Sequence, residues 1–140
     1  MQRTERDVSL VLDTHVWFWL VTGDPQLPRG VLRTGQRTWV LGVSAISIWE
    51  ICMLDEKGRI RLGMDRMEWV RRALVDAEVH VVPLTPEIAV ESTRLPGRFP
   101  GDPADRIIVA SARILGVPVA TRDRQVLGYA REGFVKAMGA

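Results

Sequence analysis

The sequence predicts an α/β fold in which a parallel sheet carries helices above and below it. Three observations lead there. First, Val8-Ser9-Leu10-Val11-Leu12 is a nearly continuous apolar run without polar alternation, as a strand buried on both faces requires. Second, the run stops abruptly on Asp13. That puts a carboxylate at the carboxyl end of a central strand, where open α/β sheets hold their ligands. Third, strand-like and helix-period runs alternate along the remainder, the pattern of βαβ units.

Thr14 to Val21 is the first predicted helix, apolar nearly all round through Val16, Trp17, Phe18, Trp19 and Leu20, and so covered on most sides. Gly23-Asp24-Pro25 breaks it. Leu27 to Arg37 reads as a second helix and Thr38 to Val43 as the second strand. Ser44 is the expected N-cap of a helix from about Ala45 to Glu56, again apolar on most faces. Met64, Met67, Val70, Leu74 and Ala77 mark one face of an amphipathic helix from about Asp65 to Glu78.

Val79 to Val82 is a short third strand closed by Pro83. Thr85 then caps a helix with Pro86 at its first position, running to about Thr93. A loop dense in Pro and Gly, 95–101, leads to Asp102-Pro103-Ala104-Asp105, again a cap followed by proline. Ile107, Ile108, Ala112, Ile114 and Leu115 give that helix a broad apolar face, and Gly116 stops it. Val117 to Ala120 is the fourth strand, followed by Thr121-Arg122-Asp123. A short helix near Gln125 to Ala130 and a final strand at Gly133 to Lys136 complete the chain.

A length of 140 residues fits one domain able to bury a core without staples. The single Cys52 rules out an internal disulfide. It lies in an apolar helix as an expected small core residue, which fits a reducing, cytoplasmic compartment. No run of about 18 apolar residues predicts a membrane span, and the first residues do not read as a signal peptide. Formal charge is +2, and Lys57 and Lys136 are the only lysines, so the cations are almost all arginine. A guanidinium fork suits phosphate, although charge alone does not establish a nucleic-acid partner.

Four carboxylates draw the chemistry together. Glu50 has Ile46, Ser47, Met53 and Leu54 as helical neighbours and is flanked by Trp49 and Ile51, so it points toward the protein or a cleft. A carboxylate there needs a cation, hydrogen-bond donors or a raised pKa; a partner arginine is the structural alternative. Asp123 follows the fourth strand as Asp13 follows the first, so the two meet at one sheet edge if those strands are neighbours. Asp105 lies in the first turn of the helix leading into that strand. Capping is the competing role for both Asp13 and Asp105. Four negative charges in one small site call for compensation, and a hard divalent cation supplies it. The lack of a Cys/His cluster favours Mg²⁺ or Mn²⁺ over zinc. Such a site suits phosphodiester hydrolysis. His15 and His80 are too isolated for histidine-based catalysis.

The segments LVLDTHVWFWL, VSAISIWEI and DPADRIIVASARILGVPVATRD, in this order and spacing, resemble the PIN-domain ribonucleases, specifically the VapC-like toxins of bacterial toxin–antitoxin pairs. The resemblance covers nearly the whole chain. It implies a three-layer α/β/α sandwich with a mainly parallel sheet, a Mg²⁺-dependent endoribonuclease activity in which Mn²⁺ can substitute, and an antitoxin that blocks the active site. The family acids fall on Asp13, Glu50, Asp105 and Asp123, and Thr121 falls on a small polar position that can assist metal binding. Asp102 also belongs to the DPADR pattern and is an accessory candidate.

Two rivals stand beside this reading. A phosphotransferase of the haloacid-dehalogenase type wants a second Asp two residues after the first, where His15 stands, and a lysine placed after a strand. A non-catalytic PIN-like module binding RNA or a partner would be expected to lack a carboxylate, and none is missing. Trp17, Phe18 and Trp19, with Trp49 and Met53, are expected to provide apolar surface for a second copy of the chain, giving a homodimer, and for an antitoxin segment.

Overall fold

In the computed structural model, residues 4–31 and 39–139 are described. The first strand, β1 (Leu10–Leu12), is fully buried, and it is the middle strand of the sheet. On one side it pairs with β2 (Leu41–Ser44), which pairs in turn with β3 (Val79–Val82). On the other side it pairs with β4 (Val119–Ala120), and that strand with β5 (Ala137–Met138). All five strands are parallel, in the order β3-β2-β1-β4-β5. Leu12 sits in register with Val43 of β2 and Ala120 of β4, so three strands end together beside Asp13.

Side-chain alternation along β1 divides the core. Leu10 and Leu12 join one apolar layer, Val11 the other. The first layer takes Trp17 from α1 (Thr14–Thr22) and Trp69, Val70 and Ala73 from α3 (Arg66–Val75). The second takes Ile88 from α4 (Pro86–Thr93), Ile108, Val109 and Ala112 from α5 (Pro103–Leu115), and Val126 and Tyr129 from α6 (Arg124–Arg131). Helix α2 (Ala45–Glu56) straddles the two: Ile48 and Ile51 pack into the first layer, Ile46 into the second. That straddling brings α2 across the carboxyl edge of the sheet. The result is the expected three-layer α/β/α arrangement.

Helix boundaries follow their caps. Asp13, Ser44, Asp65, Thr85, Asp102 and Asp123 all serve as N-caps with side chains accepting backbone N–H groups. Gly23 and Gly116 end α1 and α5 in the left-handed conformation, at φ of 71° and 70°.

Four expectations need correction. In place of a helix over Leu27–Arg37 there is a single 3₁₀ turn, Arg29–Val31, after Pro28; the remainder of that segment, 32–38, lies outside the described residues. Leu27 and Val31 are pinned in the core, and a Cβ on Gly30 would meet the Met138 sulfur at 2.7 Å, so the segment hugs the sheet edge. The second strand starts at Leu41, and Thr38 falls among the undescribed residues. The last strand is 137–138, not 133–136, because Gly133 at φ 88° turns the chain out of α6 and Phe134 and Val135 pack under it. Cys52 is only half-buried, not a core residue.

Candidate active site

The chain runs outward from β1 to β2 and β3, then crosses back to β4 and β5. The direction therefore reverses between β1 and β4, and a crevice opens at the carboxyl ends of strands at such a point. Asp13 leaves β1 and Thr121 leaves β4 at this crevice.

Asp13 is both cap and cleft residue. Its Oδ1 accepts the Thr14 N–H at 2.9 Å, and its Oδ2 accepts the Thr121 hydroxyl at 2.7 Å. Thr121 is fully buried, and its oxygen in turn accepts the Asp123 N–H at 2.9 Å. One hydroxyl thus fixes the first carboxylate to the backbone of the fourth. Asp123 spends Oδ1 on the N–H groups of Gln125 and Val126, at 2.7 and 3.2 Å.

Glu50 is held by a hydroxyl, and among the described residues no arginine pairs with it. Thr14 donates its hydroxyl to Glu50 Oε1. A hydroxyl has one proton, so the 2.7 Å bond between Thr14 and Ser47 must have Ser47 as donor. The relay Ser47, Thr14, Glu50 links the start of α1 to one turn of α2.

Asp105 is different again. Its backbone N–H donates to Asp102 Oδ1 at 2.9 Å, which makes Asp102 the cap and leaves the Asp105 carboxylate free. Among the described residues, that carboxylate accepts no hydrogen bond and belongs to no ion pair. Asp13, Glu50, Asp102, Asp105 and Asp123 all line one cleft of about 390 Å³, together with Arg122, His15 and Trp19. Thr121 lies beneath.

The charges feel one another. Burial pushes the Asp105 carboxyl up to about 7, and the charges of Asp102, Asp13, Asp123 and Glu50 add to the shift. Burial also raises Asp13, outweighing its bonds from Thr121 and Thr14, with the Asp123 charge adding. Glu50 is raised by burial above all, against the lowering effect of Thr14, with Asp102 and Asp13 adding.

This donor set suits a hard cation. It consists of carboxylate and hydroxyl oxygens whose mutual repulsion a positive charge relieves. Among the described residues, no three His, Cys, Asp or Glu side chains converge into a ready-made metal cage. Mg²⁺ is commonly held by one or two carboxylates with water completing its shell, so an open set of oxygens is compatible with it. Zinc sites are built mainly from several histidine and cysteine ligands, and among the described residues that line the cleft His15 is the one such side chain.

All four predicted acids and Asp102 meet in one cleft, with Thr121 as their support. Sequence reasoning missed Thr14 and Ser47. The Asp13-Thr14 pair at a strand end carried a signal for Thr14, and Ser47 three residues before Glu50 shares its helix face.

A parallel sheet switching direction beneath an acidic cleft defines a class of α/β proteins whose site is built from strand-end and helix-start carboxylates. Within it, this chain belongs to the PIN-domain family, whose sequence profile matches residues 10–132. It is 34% identical over 121 residues to ribonuclease VapC22 of Mycobacterium tuberculosis, spanning 86% of this chain and 92% of that protein. In fold it is similar to VapBC2 from Rickettsia felis bound to a DNA fragment from their promoter. That match has a TM-score of 0.65 and 11% identity over 91% of this chain and 96% of that one. A toxin–antitoxin complex from Klebsiella pneumoniae gives a TM-score of 0.60 at 20% identity, over 82% and 87% of the two chains. Among the described residues no helix is long and apolar enough to cross a membrane.

Proposed function

We propose that this chain is a metal-dependent endoribonuclease and the toxin of a toxin–antitoxin pair, hydrolysing RNA phosphodiesters at the acidic cleft. Asp13, Glu50, Asp105 and Asp123 would hold Mg²⁺, or Mn²⁺ in its place, with Thr121 and Asp102 as accessories. The observation that carries this is the concentration of carboxylates around one crevice, which Arg122 also lines. The 34% identity to a ribonuclease supports the choice of RNA. A bound divalent cation supplies neutralisation of phosphoryl charge and a more acidic water.

The chain's own residues do the rest. Thr121 and the Ser47–Thr14 relay hold Asp13 and Glu50 in fixed orientations, so little reorganisation is needed when substrate arrives. The Asp105 carboxyl is raised to about 7 by burial and by the neighbouring carboxylates, so a divalent cation that relieves this repulsion would favour its ionised form. Arg122 is anchored through its Nε to the Gln26 carbonyl at 2.8 Å, and its remaining donors suit a phosphodiester oxygen. The partner expected to silence the cleft is an antitoxin, and the neighbour described as a toxin–antitoxin complex supports that choice. The apolar surface expected to join two copies is reduced, since Trp17 is core and Phe18 and Trp19 pack against it. Of the residues expected to provide it, Trp49 remains exposed for self-association or an antitoxin, and sedimentation measures the state directly.

The test is cleavage of RNA by purified protein with Mg²⁺, with Mn²⁺, and in excess chelator. Cleavage with either metal and none in chelator is expected. Glu50→Gln should lose activity while keeping its melting temperature. Robust cleavage in chelator would sink the metal-dependent reading. Tight RNA binding without cleavage under any metal would favour the non-catalytic module.

A further inference from the structure

Beside the acidic cleft lies a second groove of about 510 Å³, between α2 and the start of α5. Glu50 and Asp102 line both, so the two spaces adjoin. Two neighbouring stripes of α2, each at four-residue spacing, form its wall: Ile46, Glu50, Leu54 and Trp49, Met53, Lys57. Pro103 and Ala104 face them from α5. Trp49 is 57% exposed, whereas the other four tryptophans are buried or half-buried. Lys57 and Arg59, both exposed, close the far end, and among the described residues neither is ion-paired.

The cleft alone is a poor place for a polyanion. Five carboxylates line it against Arg122, so an RNA backbone entering it is repelled unless cations hold the chain nearby. Among the described residues, Lys57 and Arg59 are cations without an ion-pair partner. On the stripe of α2 that leads to Lys57, beside Glu50, the same groove presents an exposed indole, Trp49, and unstacked single-stranded bases use such platforms.

We propose that this groove is a subsite for the nucleotide flanking the scissile phosphate. Its base stacks on Trp49 beside Met53, and the next backbone phosphate is held by Lys57 and Arg59. The inference rests on the ribonuclease reading and deepens it. An apolar peptide would also cover Trp49 and Met53. The two free cations at one end and the carboxylates at the other match the charge of a nucleotide chain better.

The test uses an end-labelled single-stranded RNA 12-mer of mixed sequence, with wild type, Trp49→Ala, Trp49→Phe and the double variant Lys57→Ala/Arg59→Ala. Binding is read by anisotropy in chelator, and cleavage of the same RNA is read with Mg²⁺. Trp49→Ala should bind about tenfold or more weakly, with the loss falling on KM more than on kcat, and Trp49→Phe should recover most of it. The double variant should flatten the dependence of log affinity on log salt by about 0.7 for each phosphate that is no longer neutralised. Since Trp49 is exposed, melting temperatures should match wild type.

Wild-type binding and KM in Trp49→Ala, or an unchanged salt slope in the double variant, would overturn the subsite. Unchanged RNA binding with impaired neutralisation by a co-expressed antitoxin would also overturn it, marking the groove as a protein-docking face. If wild type binds the RNA but never cleaves it, the ribonuclease reading fails alone and the binding arm still decides the groove. If wild type neither binds nor cleaves, both fall.

Discussion

Two adjacent residues of α5, Asp105 and Arg106, are treated in opposite ways. Arg106 donates Nε to the Ser92 carbonyl at 2.8 Å and Nη1 to the Phe99 carbonyl at 2.6 Å. Two turns on, Arg113 donates Nε to Glu91 at 2.8 Å and Nη1 to the Phe134 carbonyl. These cations fasten α4, the Pro/Gly loop and the segment before β5 onto one helix. Asp105 lies among like charges with no hydrogen bond to its carboxylate among the described residues. A partly buried charge with partners contributes to the fold; one left without them weakens it. An uncompensated carboxylate in a cleft is therefore a candidate for function.

The largest expected effect comes from exchanging the two treatments. Asp105→Asn should lower metal-dependent cleavage by at least about 100-fold, more than is typical for removal of a supporting hydrogen bond. Its melting temperature in chelator should stay level or rise, because a repelled charge is gone. Arg113→Met should do the reverse: a loss of about 2 kcal/mol in stability, with activity per folded molecule retained. Urea unfolding and single-turnover cleavage on both variants measure this. A stable, inactive Arg113→Met beside an unstable, active Asp105→Asn would break the comparison.

That contrast also marks how far the sequence could be read. The apolar run into Asp13, the capped helices at Ser44, Thr85 and Asp102, and the strand at Val79–Val82 were legible because each rests on local chemistry. So was the gathering of carboxylates, since strand ends and helix starts converge at the crevice of a parallel sheet. What escaped depends on tertiary packing. The Ser47–Thr14–Glu50 relay joins residues 33 and 36 positions apart, and no local pattern announces it. The segment after Pro25 carried helix-compatible residues, yet Leu27 and Val31 insert into the core and Gly30 packs on Met138 instead. The last strand slipped to Ala137–Met138 because Phe134 and Val135 were claimed by the second apolar layer. Trp49 agrees with its expectation: it lies within an apolar helix yet is exposed, as a residue offering apolar surface to a partner would be.

A smaller effect sharpens the comparison through pH. The Asp105 carboxyl ordinarily titrates at 3.8 and is pushed up to about 7 in the folded chain, chiefly by burial. Between these values the folded state binds a proton that the unfolded state does not. Its contribution to stability is therefore fully present below about pH 3.8 and is lost as pH rises through about 7. In chelator, the melting temperature should fall between pH 5 and pH 7.5, with other groups superimposed, and saturating Mg²⁺ should offset the fall at the upper end. Asp105→Asn should flatten the profile. An identical slope in that variant would show that Asp105 does not govern it.

The smallest expected effect falls on the neighbour that a sequence reader most easily confuses with Asp105. Asp102 is exposed, precedes Pro103 and accepts the Asp105 N–H at 2.9 Å, so its first task is to cap α5. Asparagine caps about as well as aspartate, so Asp102→Asn should alter stability by no more than roughly 0.5 kcal/mol. Asp102→Ala should cost about 1 kcal/mol. Asp102 also supplies the second-largest cause of the raised Asp105 pKa, after burial. Removing its charge should move the Asp105 titration back toward the ordinary carboxylate range. Cleavage by Asp102→Asn should then stay within roughly threefold of wild type, about 0.6 kcal/mol in activation free energy, with its pH profile displaced to lower pH. The measurement is cleavage rate against Mg²⁺ concentration at several pH values for Asp102→Asn and Asp105→Asn. A dead Asp102→Asn beside a live Asp105→Asn would invert the roles of the two carboxylates. The capping residue would then be the ligand, and the unpartnered charge on α5 would have no function to explain it.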